Sequence, residues 1–112
     1  MVLLIDDERT VEFIEKTYGL VPSRIARTFS EGIQALKESR WDIMLLDHDL
    51  ACYDEEGNEL TGYKVLLFLE ENPEFMPKQV KIITSNASAR IKINLALEAI
   101  KKRMNDDTNL PK

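Results

Sequence analysis

Two acidic clusters carry the chemistry of this chain. Asp6-Asp7-Glu8 follows directly on Val2-Leu-Leu-Ile5, and Asp47-His48-Asp49 follows on Ile43-Met-Leu-Leu46. Crowded carboxylates repel and raise one another's pKa unless a cation neutralises them. Oxygen-only donors in small number suit Mg²⁺, with Mn²⁺ as a substitute, and Mg²⁺ readily takes a phosphate oxygen as a further ligand. Asp6, Asp7, Asp47 and Asp49 are therefore the candidate metal ligands. Asp49 reads equally well as a loop cap. Asp47 can serve as nucleophile towards a phosphoryl group, or as a ligand that positions a hydrolytic water. His48, the one histidine, reads equally as an acid/base or phosphate contact and as a residue that orients its loop. Thr84 and Ser85 offer hydroxyls, and Asn86 an amide, to a phosphoryl oxygen.

The elements that must position these residues follow from the hydrophobic pattern. A short unbroken apolar run reads as a strand buried on both faces, as in a parallel sheet covered by helices. Strands are expected at about residues 2–6, 24–27, 42–47 and 79–84. The first helix turns Val11, Ile14, Tyr18 and Phe13 inward and stops near Gly19. Ser30 offers an N-cap to a second helix carrying Ile33, Ala35 and Leu36, and Thr61 to a third carrying Val65, Leu66 and Leu69. Ser88 offers one to a last helix through Ile93, Leu97, Ile100 and Met104. Residues 48–60 read as a loop with a solvated turn at Asp54–Glu59, and residues 105–112 as a frayed polar tail. Alternation of strand and helix implies right-handed crossovers and a parallel sheet of order 2-1-3-4, a flavodoxin-like three-layer α/β sandwich. In that order the first and third strands are neighbours, so Asp6, Asp7 and Asp47 converge on one rim.

Composition sets the bounds. The 112 residues, 44% of them hydrophobic, suffice for a single domain with one core. A net charge of −5 argues against bulk nucleic-acid binding. Cys52 is the lone cysteine, so no internal disulfide forms. The start lacks the basic region of a signal peptide, and no apolar run reaches the roughly 20 residues of a membrane span. A cytoplasmic protein without membrane contact is expected.

These motifs resemble a response-regulator receiver domain over about residues 1–100. Leu4-Ile-Asp-Asp-Glu8 resembles the acidic pair after the first receiver strand, and Phe29-Ser-Glu-Gly-Ile-Gln-Ala-Leu36 the second-helix segment. Asp47 falls at the phosphoacceptor position, Thr84 at the hydroxyl position, and Gly62 at the glycine opening the third helix. A divergent branch, the cyclic-phosphate-processing receiver-like domain, is closer. It shares Leu46-Asp-His-Asp-Leu50, Thr61-Gly62-Tyr63 and Ser85-Asn86, with Thr84 where many members carry a histidine. The chain departs from receivers in its fifth strand, which is missing or replaced by the tail. The Lys-Pro pair ending that strand is absent too, since Lys112 follows Pro111. Arg90 is the cation that stands near enough to Asn86 in sequence to substitute for that lysine.

Three functions follow as expectations. The favoured one is a non-enzymatic, Mg²⁺-binding receiver-like module that binds or accepts a phosphoryl group and acts through surface contacts. The second is a hydrolase of cyclic or terminal phosphates using Asp47 and His48. The third is a catalytically silent interaction or inhibitor module, of a kind that suits a phage or mobile element. A protein partner, a phosphate-containing small molecule, and a homodimer through the fourth strand or last helix are the expected partners.

Overall fold

The computed structural model describes residues 1–109, with side chains as far as Arg103. β1 (Val2–Ile5) leads into α1 (Val11–Tyr18), and β2 (Arg24–Ala26) into α2 (Phe29–Glu38). β3 (Ile43–Leu46) passes through a hairpin, β4 (Cys52–Tyr53) and β5 (Glu59–Leu60), into α3 (Gly62–Glu71). A 3-10 turn at Pro73–Phe75 precedes β6 (Gln79–Ile82) and α4 (Ala87–Asn109). The main sheet is parallel with order β2-β1-β3-β6. Because β6 is its fourth strand, this is the 2-1-3-4 order expected of the flavodoxin-like fold. β6 is the edge of the sheet among the described residues.

The strand pleat sends alternate side chains to two helical layers. Leu3, Ile5, Met44, Leu46, Val80 and Ile82 belong to one buried cluster, with Leu36, Val65, Leu66, Leu69, Ile93 and Leu97 from α2, α3 and α4. Leu4, Leu45 and Ile83 face the opposite way, against Ile14 of α1. Burying a Leu or Ile side chain contributes about 1.5–3 kcal/mol, so these runs hold the strands in place despite their shortness. Trp41 belongs to the first cluster, and its indole N–H donates to the Ala35 carbonyl at 2.9 Å.

Several local expectations need correction. Phe13 is 46% exposed, because the eight-residue α1 buries only Ile14 fully. Its ring instead carries the Arg9 guanidinium, 5.8 Å from the centroid. Helix α1 does stop at Gly19, whose φ of 70° is left-handed and suits glycine. The N-cap of α2 is Thr28, not Ser30: its hydroxyl accepts the Glu31 N–H at 3.1 Å, and Ser30 lies inside the helix. The Thr28 hydroxyl in turn donates to Glu31 Oε1 at 3.3 Å. The loop after β3 contains a two-stranded hairpin around the Asp54–Glu59 turn, where Asp54 accepts the N–H groups of Glu56 and Asn58. Helix α4 runs to Asn109, beyond the point where a tail was expected. The inward position of Met104 and residues 110–112 lie outside the described residues.

Thr28→Ala is expected to cost about 1 kcal/mol in chemical denaturation, the usual loss for an N-cap. Ser30→Ala should stay within about 0.5 kcal/mol of the parent. Equal costs for the two would contradict the cap assignment. No helix among the described residues is long and apolar enough to cross a membrane.

Candidate functional site

Strand register builds the acidic rim. Ile5 pairs with Leu46, and Leu46 with Ile82, so β1, β3 and β6 end level. The Asp47 N–H donates to the Ile5 carbonyl at 2.9 Å, and the Asp6 N–H to the Ala26 carbonyl at 3.0 Å. Those bonds extend the ladder by one residue and fix where each carboxylate leaves the sheet. Asp6, Asp7 and Asp47 each present an oxygen, and these oxygens lie within 4.8 Å of one another. Asp6 and Asp47 are buried, and Asp7 is half-buried.

The residue that sequence reading missed is Arg9. Asp6 Oδ1 accepts the N–H groups of Glu8 and Arg9, both at 2.9 Å, and this tight turn brings Arg9 back over the pocket. The guanidinium then donates to Asp6 Oδ2 at 2.6 Å and approaches Asp47 Oδ2 to 3.2 Å. Arg27, just past β2, pins the same loop: its guanidinium donates to the Arg9 carbonyl at 2.6 Å and the Asp6 carbonyl at 3.3 Å. Arg90 is exposed on the first turn of α4, so the cation on Asp47 comes from the β1 loop instead. An arginine three residues after an acidic strand end was the available signal.

Burial first, and then the charge of Asp6, pushes the Asp47 carboxyl above the usual aspartate range; Arg9 and the His48 N–H pull against that. Desolvation works against the Arg9 charge, but its hydrogen bond to Asp6 and the charges of Asp6 and Asp47 outweigh it and hold the guanidinium firmly charged. A carboxyl whose folded pKa is raised keeps its proton to higher pH in the folded than in the unfolded chain. Its stabilising contribution is complete below the unfolded pKa and is lost as pH rises through the folded one. Asp47→Asn should therefore flatten the fall in stability above the ordinary aspartate range and raise the neutral-pH Tm without metal. A neutral-pH Tm below the parent's would contradict this.

His48 follows at the rim. Its backbone N–H donates to Asp47 Oδ1 at 2.9 Å, fixing the carboxylate, while its Nδ1 is buried and has no hydrogen-bond partner. The His48 carbonyl accepts the Gly62 N–H at 2.9 Å. A Cβ at Gly62 would lie 2.3 Å from the Asp47 carbonyl oxygen, so only glycine lets α3 start this close to the site. Thr84 is buried at the end of β6, and its hydroxyl oxygen accepts the Asn86 N–H at 3.2 Å, leaving the hydroxyl proton free to donate elsewhere. Ser85 is exposed. Asn86 is the cap of α4, its side-chain oxygen accepting the Ala89 N–H at 3.1 Å, which displaces Ser88 from that role. Asp49 is exposed and outside the group of three carboxylates, because the chain turns away after His48 into Ala51, which has φ of 51°.

The donor set fits a hard divalent cation: three carboxylates, no sulfur or imidazole among them, converging at a parallel-sheet rim. In their present arrangement Arg9 supplies the positive charge. Among known protein families, the model of the cyclic-phosphate processing receiver domain matches residues 1–99. No curated protein and no solved structure matches the chain.

Proposed function

Because the chain belongs to the cyclic-phosphate processing receiver domain family, we propose that it binds Mg²⁺ at Asp6, Asp7 and Asp47 and a phosphoryl group against Asp47. The observation that carries this reading is the convergence of carboxylate oxygens of Asp6, Asp7 and Asp47 within 4.8 Å, with the Arg9 guanidinium paired to Asp6 and Asp47. When bound, the ion would neutralise the carboxylates and polarise a phosphoryl oxygen. Asp47 is held by the His48 N–H through one oxygen and faces Arg9 with the other. Arg9 has the charge and reach to hold a phosphoryl oxygen, the part that the strand-five lysine plays in receivers. Thr84 donates its free hydroxyl proton to the same group. Mn²⁺ would serve at the same ligands, and the module would act on a protein partner through its surface.

The test is a Mg²⁺ titration of the full chain followed by backbone amide shifts, then addition of beryllofluoride. Saturable shifts at Asp6, Asp7 and Asp47, extended by beryllofluoride to Arg9 and Thr84 and lost in Asp47→Ala, are expected. A flat response at those three aspartates would remove the reading. A second reading, turnover of a cyclic phosphate, is favoured by one feature: the His48 imidazole stands one residue from Asp47 and its Nδ1 has no hydrogen-bond partner. Phosphorus NMR with cyclic nucleotides and Mg²⁺ separates binding from turnover, and His48→Gln should slow turnover while leaving Mg²⁺ shifts unchanged.

A further inference from the structure

The two margins of the main sheet are not equivalent. β2 spans three residues, and its Arg24 is engaged with Glu38. β6 spans four, and its pairing with β3 fixes which way each peptide group points. The Gln79 N–H donates to the Asp42 carbonyl at 2.9 Å, and the Ile83 N–H to the Leu46 carbonyl at 3.0 Å. Gln79, Lys81 and Ile83 therefore turn their peptide groups towards β3, and Val80 and Ile82, out of phase with them, turn theirs away. Neither the Val80 nor the Ile82 N–H has a partner among the described residues. Met44 and Leu46, their neighbours in register, are fully buried, whereas Val80 and Ile82 each keep 8% exposure. Backbone left unpaired and reachable at a sheet margin is a template for one more strand.

The side chains say what that strand carries. Val80 and Ile82 belong to the apolar layer shared with α3 and α4, so apolar residues at matching positions of an added strand would continue it. Lys81 points to the other face and is exposed. Its ammonium lies 5.0 Å from the Tyr18 ring centroid, and no carboxylate pairs with it among the described residues. An acidic residue opposite Lys81 gains a cross-strand pair, and a basic one meets like charge. The same lysine disfavours a second copy of this chain. Antiparallel pairing that bonds Val80 to Ile82 of the second copy sets Lys81 directly against its own counterpart.

Resting on the reading above that the module acts on a protein partner through its surface, we propose that β6 receives an extended segment of that partner as an added strand. Its apolar side chains lie beside Val80 and Ile82, and a carboxylate lies beside Lys81. Main-chain hydrogen bonds supply the affinity, and Lys81 selects for acidic sequence. The contact needs no metal.

The probe is a capped Val-Glu-Val-Glu-Val peptide, added to the full chain without metal and followed by backbone amide shifts and hydrogen exchange. Saturable shifts at Val80, Lys81 and Ile82 are expected, with slowed exchange of the Val80 and Ile82 amides. The peptide with lysine at both glutamate positions should bind about tenfold more weakly. Lys81→Glu, a change at an exposed side chain, should reverse that preference. N-methylation of alternate peptide residues should abolish binding for the set whose N–H groups face β6 and largely retain it for the other. Still amides at β6, equal binding of the two peptides, or indifference to both N-methylated sets would overturn the proposal. So would sedimentation showing the free chain as a dimer with its Val80 and Ile82 amides already protected, because a second copy would then hold the edge. If the peptide fails while Mg²⁺ moves Asp6, Asp7 and Asp47, the edge assignment is lost and the acidic-rim reading stands. If the peptide binds while Mg²⁺ leaves those aspartates unmoved, the edge assignment survives and the rim reading is lost.

Discussion

Arg9→Met will destabilise the metal-free protein by about 3 kcal/mol and tighten its hold on Mg²⁺. Arg9 is 17% exposed, and its partners Asp6 and Asp47 are 0% and 7% exposed, so this is a nearly dry ion triad. Removing one member of a buried pair leaves uncompensated charge and costs about 3–5 kcal/mol. The low end applies because Asp47, already inclined to keep its proton, can shed its charge by taking one up. Methionine retains an unbranched apolar stem but loses the guanidinium that lies over the Phe13 ring. On the proposed reading, a divalent ion would compete with the guanidinium for the Asp6 and Asp47 carboxylates. Without that competitor, Mg²⁺ affinity should rise about tenfold, equivalent to about 1.4 kcal/mol. Denaturation midpoints measured with and without Mg²⁺ read both effects together: a large loss without metal and a recovery with it. A variant as stable as the parent without metal, or one whose Mg²⁺ affinity falls, would contradict the assignment of Arg9 as the resident counterion.

Gly62→Ala should be nearly as damaging, for a steric reason. The added Cβ would meet the Asp47 carbonyl oxygen at 2.3 Å and His48 Cα at 3.1 Å. These are backbone atoms fixed by the β3 ladder and by the Gly62–His48 hydrogen bond, so no side chain can turn away to make room. Overpacking costs about 1–3 kcal/mol, and the upper value is expected where backbone must move. For a domain of this size that lowers Tm by about 10–20 °C. The displacement also pushes on Asp47 itself, so the Mg²⁺ response should weaken in the fraction that folds. Gly57→Asn is the control: nothing lies within 4 Å of Gly57, and asparagine tolerates its left-handed φ of 84°. A Tm for Gly62→Ala within a few degrees of that control would show that α3 can shift freely.

How much of this could be read from the chain differs by element. The buried strands were legible because Val2–Ile5 and Ile43–Leu46 are unbroken apolar runs that stop at acids. Alternation with helices then fixed their order, and with it the meeting of Asp6, Asp7 and Asp47. The caps were less legible. Thr28 and Asn86 hold α2 and α4, whereas Ser30 and Ser88, each two residues later, looked equivalent by composition. The choice depends on where the strand releases the chain, which the pattern does not encode. The hairpin escaped notice because each arm has two residues, too few for alternation to register. Asp49 looked like a ligand because sequence adjacency to Asp47 says nothing of direction. Arg9 carried only the weak signal of its spacing from Asp6, because its approach to Asp47 exists only once the Asp6 carboxylate has folded its own loop back.

The tether from Arg27 ties the fate of that loop to β2, the shortest strand of the main sheet at three residues and one of its two margins. Peripheral strands of this length fray on their own, well below the free energy of global unfolding. Each such excursion would slacken the Arg9 carbonyl and give its guanidinium leave to depart. The tempo at which the counterion vacates the rim would then be governed by the breathing of the sheet's outermost member, not by an event among the carboxylates.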